Sequence, residues 1–125
     1  MARPQKRRFV GMEPGFRMFK PVGIPAVEME QVVLTLDEFE AIRLVDFEGM
    51  DHEGAAALIE ISRPTFSRLV EQARAKVADA IVTGKTLVIE GGNVEMVSRG
   101  RCDDCGWEIP LGRGAGRHHC GNGRR

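Results

Sequence analysis

Between Asp51 and Val70 the apolar positions fall where two short helices joined by a tight turn require them. Ala55, Ala56 and Ile59 face inward on the first helix, Ile61 plugs the turn, and Phe66 and Leu69 anchor the second. Short side chains at 55 to 57 let two steeply crossing helices approach closely. Ser62 has the chemistry of an N-cap, and Pro64 lies in the first helical turn, where its missing N–H costs nothing. Glu60 stands where glycine is usual, because the chain there adopts positive φ. A side chain at that position carries strain of roughly 1 kcal/mol.

The same reading extends in both directions. Val32-Val-Leu34 reads as a short extended segment, and Thr35-Leu-Asp-Glu38 has the spacing of a capping box. A helix is predicted from about 36 to 48, with Leu36, Phe39, Ile42 and Phe47 on its buried side and Asp37, Glu40, Arg43 and Asp46 in water; Gly49 ends it. Glu40 and Arg43 are expected to pair on that exposed face, which adds only about 0.2–0.5 kcal/mol. The last helix runs to Thr83 with a stripe of Phe66, Leu69, Val70, Ala73, Val77, Ala80 and Ile81, too long for a small three-helix core to cover. Its C-terminal half is expected against the N-terminal loop or a second copy of the protein. Lys85 to Glu90 is the one clear strand, closed by Gly91 and Gly92, and its expected partner is residues 94–98 or another subunit.

Charge adds an orientation. The formal net charge is +0, yet residues 1–20 hold six basic side chains against Glu13 alone, residues 21–60 ten acids against Arg43 alone, and residues 61–85 five bases against two acids. Opposed blocks favour an oriented binding surface. Residues 1–12, with Arg3, Lys6, Arg7 and Arg8, form a basic arm open to two uses: lying along phosphates or a minor groove, or solubilising the chain. Pro14, Gly15, Pro21, Gly23 and Pro25 exclude regular helix from 13–25, where Phe16, Phe19 and Ile24 are expected to pin the loop to the core. No apolar run approaches the roughly 20 residues that span a bilayer, and no hydrophobic segment follows the basic N-terminus, so a cytoplasmic protein without membrane association is expected.

The three cysteines gather at the C-terminal end, which suggests metal more than disulfides. Cys102 and Cys105, followed by Gly106, have the local form of a zinc knuckle. Cys120 with His118 or His119 completes a tetrahedral set for a structural zinc. Arg117 stands where a full second knuckle would place a cysteine.

With Arg3-Pro4, Phe19-Lys-Pro-Val-Gly-Ile-Pro25, Leu34-Thr-Leu-Asp-Glu-Phe-Glu-Ala-Ile-Arg-Leu44, Ser62-Arg-Pro-Thr-Phe66 and Ile89-Glu-Gly-Gly92 in order, the chain resembles domain-of-unknown-function family one-thirty-four over roughly residues 1–95. The resemblance implies a helix-turn-helix similar to region four of bacterial sigma factors and a role in transcription. It also hints at metal-linked regulation, since members neighbour proteins similar to those handling iron–molybdenum cofactors.

The expected architecture is therefore mainly α. A basic arm and Pro/Gly-rich loop occupy 1–33, a helix-turn-helix domain with a short strand 34–98, and a metal-binding tail 99–125. The expected function is sequence-specific binding of double-stranded DNA, possible as a homodimer and responsive to metal or redox state. Arg63, Ser67 and Arg68 would meet base edges, Thr65 and the Ser62-capped helix start would meet phosphates, and Arg74, Lys76 and the arm would add sequence-independent affinity. The alternative is an interaction module docking on RNA polymerase or another regulator. No phosphate loop or nucleophile elbow is present, and enzymatic activity is not expected.

Overall fold

The computed structural model describes residues 7–110. Strand β1 (Arg8–Val10) and the short β2 (Met18–Phe19) precede a 3-10 turn at Ala26–Glu28 and β3 (Gln31–Leu34). Helix α1 (Leu36–Ile42) continues as a π turn over Arg43–Phe47, followed by α2 (His52–Ile59) and the long α3 (Arg63–Thr83). The chain ends in β4 (Thr86–Ile89), β5 (Val94–Met96), β6 (Arg99–Arg101) and β7 (Glu108–Pro110).

The expectation of a mainly α protein is overturned. Three small sheets accompany the helices: β1 with β5, β2-β4-β3, and β6 with β7. β4 finds its partners neither at 94–98 nor in another subunit. It runs parallel to β3, Gln31 to Leu34 opposite Thr86 to Ile89, and antiparallel to β2. The physical reason lies in β4 itself, where Thr86, Val88 and Ile89 are buried, so both of its edges need main-chain partners. Those partners are two to four residues long and carry no readable alternation.

Local signals hold where backbone chemistry is specific. The Thr35 N–H donates to Glu38 Oε1 at 2.9 Å and the Glu38 N–H to Thr35 Oγ1 at 3.4 Å, closing the capping box. Glu60 sits at φ 71, left-handed, between α2 and α3. Gly54, inside α2, has a reason too: a Cβ there would lie 3.0 Å from both Trp107 and Asp51. The main core gathers Leu44, Ala55, Ile59, Phe66, Val70 and Trp107; a second cluster joins Leu34, Ala73 and Ile89.

Helix α1 is oriented otherwise than its sequence suggests. Glu40 is 0% exposed and Arg43 5%, with Asp37 also buried, while Phe47 is 80% exposed. The π turn adds a residue to the last turn, which rotates Phe47 outward and brings Leu44 into the core. The buried face meets charge from the far end of the chain. Arg43 Nε donates to Glu40 Oε1 at 2.8 Å, and Arg43 Nη1 and Nη2 to Glu108 at 2.5 and 3.0 Å. Arg99 bonds both Glu40 and Glu108 and also the carbonyls of Phe9 and Leu58, each at 3.2 Å. The Gly11 N–H fills a remaining site on Glu40 at 2.8 Å. The β6–β7 hairpin is therefore no appended tail: Cys105 and Trp107 belong to the main core and Glu108 to the ion network.

Burial alone pushes the Glu108 carboxyl up. The hydrogen bonds and charges of Arg43, then Arg99, outweigh it and hold the group below its ordinary 4.5. A lowered folded pKa contributes stability above the unfolded value, lost as pH falls through the folded one. The urea midpoint is therefore expected to fall below about pH 4.5, and less steeply in Glu108→Gln. Arg43→Met leaves two buried carboxylates short of a partner and is expected to cost about 3–5 kcal/mol in urea unfolding at pH 7; a loss under about 1 kcal/mol would show the network to be dispensable.

Candidate functional site

The start of α3 is built by its cap. Ser62 is extended at φ −69, ψ 157, and its Oγ accepts from the Thr65 N–H at 3.3 Å while donating to Thr65 Oγ1 at 2.9 Å. Pro64 follows in the first turn. Phe66, Leu69, Val70 and Ala73 are buried, which fixes the rotation of the helix and turns Arg63, Arg68 and Gln72 outward. Ser67 is half-buried, with its hydroxyl 3.0 Å from His52 Nδ1, and the His52 ring meets Phe66 edge-on at 5.4 Å. That contact ties α2 to α3 at the exposed face.

Most of the described cations are held by carboxylates. Arg8 holds Asp37 at 2.8 Å, Arg74 holds Asp46 at 2.7 Å, Lys76 holds Glu38 at 2.7 Å and Lys85 holds Asp79 at 3.0 Å. Arg43, Arg99 and Arg101 also hold carboxylates. Exposed Arg7 and Lys20 form no ion pair among the described residues, and Lys20 donates to the Ile24 carbonyl. Arg63 and Arg68 are likewise exposed and form no ion pair among the described residues. Exposed Glu71 lies between them on the helix surface, and exposed Glu60 stands in the turn before them.

The predicted site residues thus divide. Ser62, Arg63, Thr65, Ser67 and Arg68 come together at one end of α3. Arg74 lies further along with its guanidinium on Asp46, and Arg8 is part of β1 rather than an arm. Arg3 and Lys6 lie outside the described residues. Gln72, four residues past Arg68 and exposed on the same face, was not among the expected contacts; its helical spacing is the signal that marks it.

Of the expected metal ligands, Cys102 is half-buried and Cys105 buried. They share a turn in which the Gly106 N–H donates to the Cys102 carbonyl and the Cys102 N–H to that of Trp107, both at 2.9 Å. His118, His119 and Cys120 lie outside the described residues. Among the described residues no group of three or more His, Cys, Asp or Glu side chains could hold a metal ion. The described stretch of the segment expected as a metal-binding tail is a hairpin whose buried side faces the core.

Residues 1–97 match the family described as "Protein of unknown function DUF134". The chain belongs to this family. It is 52% identical to the UPF0251 protein of Chloroherpeton thalassium over 109 residues, covering 86% of this chain and 72% of that one. It is 50% identical to the UPF0251 protein of Pelotomaculum thermopropionicum over 107 residues (85% and 81%). A UPF0251 protein of Moorella thermoacetica is 46% identical over 125 residues (98% and 84%). No solved structure matches the chain. No helix among the described residues is long and apolar enough to cross a membrane.

The cap is the local determinant of this end of α3. Ser62→Ala is expected to cost about 1 kcal/mol in urea unfolding, and Ser62→Asp to restore it. Equal midpoints for wild type and Ser62→Ala would show that Pro64 alone sets the helix start.

Proposed function

We propose that this chain binds double-stranded DNA in a sequence-specific manner and acts as a transcriptional regulator, with α2 and α3 serving as a helix-turn-helix and the start of α3 in the major groove. One observation supports this most: in a chain of zero net charge, where most described cations are held by carboxylates, two exposed arginines at the start of one helix form no ion pair among the described residues. Arginine is the commonest partner of guanine O6 and N7, and the amide of Gln72 suits the N6/N7 edge of adenine. Helix α2, bonded to Ser67 through His52, braces α3 at the angle that packing sets. Thr65 and the helix start suit phosphate contacts.

Fragments selected from random genomic DNA supply the test. Arg63→Ala and Arg68→Ala are each expected to weaken binding to the selected site by about 1–3 kcal/mol in fluorescence anisotropy, with lowered discrimination at one base position each. Affinity is expected to fall steeply with salt. Unchanged affinity in both variants sinks the reading. A protein partner retained after DNase treatment, with no enrichment of any DNA fragment, favours an interaction module instead.

A further inference from the structure

The last turns of α3 carry apolar side chains that the described chain does not cover. Ile81 and Val82 are 76% and 81% exposed. Ile81, with Phe19, Pro21, Val77, Ala80 and Leu87, walls a hollow of about 440 Å³. Strand β2, which contributes Phe19, is an edge of its sheet. The expectation that the N-terminal loop would cover this half of α3 is met only in part, since Phe16, Phe19 and Ile24 all remain exposed.

We infer that a second copy of this chain occupies the hollow, through a two-fold contact centred near Ile81. An isologous interface requires one patch to hold both a projection and a recess, because residue i meets j while j meets i. Ile81, 76% exposed at the lip of the hollow, is the projection, and the hollow it borders is the recess. Exposed Ala78 and the Gly84 cap flank Ile81 with little bulk, so two such helices can cross closely. The rim selects against a strongly charged partner. Lys85 lies 3.0 Å from Asp79 and 3.5 Å from Glu30, and Lys20 donates to the Ile24 carbonyl at 2.7 Å. A patch with an apolar centre and both signs at its edge meets its own copy without like-charge excess; a nucleic acid or a strongly acidic protein would face Asp79 and Glu30 as well as the lysines.

The contact stands on the apolar surface alone; its bearing on DNA rests on the function proposed above. Ile81 lies about 27 Å along α3 from Arg63 at about 1.5 Å per residue.

Sedimentation of the full chain without DNA, up to about 100 µM, tests the contact. Wild type and Ile81→Leu are expected to dimerise. Ile81→Glu, at an exposed position, is expected to raise the dimer dissociation constant about 100-fold or more, with circular dichroism unchanged and the melting temperature equal to wild type at dilutions where both are monomeric. A wild-type chain that remains monomeric overturns the proposal and leaves the hollow to another protein's apolar segment. A dimer that survives both Ile81→Glu and Val82→Glu overturns it as well. The two readings fail separately: a wild-type dimer that selects no DNA removes the function and keeps the contact, whereas a monomer whose binding depends on Arg63 and Arg68 does the reverse.

Discussion

Four buried charges hold this molecule in register. Glu40, Arg43, Arg99 and Glu108 alternate in sign and sum to zero, and each carboxylate receives hydrogen bonds from both arginines. Taking such groups out of water is expensive, and mutual attraction offsets the expense only when every donor and acceptor is met. Here the surplus donors reach main-chain carbonyls at Phe9 and Leu58, and the Gly11 N–H takes an acceptor site on Glu40. The network fixes the relative placement of the β1 segment, α1, the end of α2 and the hairpin. Leu58 is two residues before the left-handed Glu60, so the same arginine that binds Glu40 also braces the approach to the turn from which α3 departs.

A second consequence concerns what is left over. Arginines held by carboxylates have little to offer a polyanion unless those pairs break. Arg74 would have to exchange Asp46 for a phosphate, and Arg8 would have to leave Asp37. On α3 the cationic surface available to a partner is therefore confined to Arg63 and Arg68, with Glu60 and Glu71 nearby. Under the proposed function, such a surface favours discrimination over bulk affinity, because non-specific binding scales with the number of phosphates neutralised. Acidic neighbours further penalise any pose that places the helix obliquely to the groove.

What could be read from the chain, and what could not, follows from the range of each interaction. The Thr35–Glu38 box, the Ser62 cap, the strain at Glu60 and the inward set Ala55, Ala56, Ile59 and Phe66 are local, decided within a few residues, and each was legible. The polar side of helix α1 is not legible locally because hydropathy treats Glu40 and Arg43 as exposed, and their neutralising partners, Arg99 and Glu108, lie 59 and 65 residues away. The sheets were missed for a related reason: β2 is two residues long, and β3 and β4 meet only after α1, α2 and α3 have been laid down between them. Of the site, the outward arginines followed from the apolar stripe. That Arg8 and Arg74 would be engaged by carboxylates depended on tertiary placement, which no spacing rule encodes.

The long third helix joins the charged end of the molecule to its uncovered apolar end. Its first half is rotated by Phe66, Leu69, Val70 and Ala73 against the main core and by the bond from His52 to Ser67, so its charged end cannot turn independently of the body. Its second half packs one side against the sheet cluster through Ala73 and Val77 and leaves Ile81 and Val82 outside. A continuous helix of 21 residues, without proline beyond its first turn, transmits orientation over about 31 Å with little bending. A second copy docked at Ile81, as proposed, would therefore fix the placement of its own Arg63 and Arg68 relative to those of its partner through rigid geometry rather than through a mobile linker.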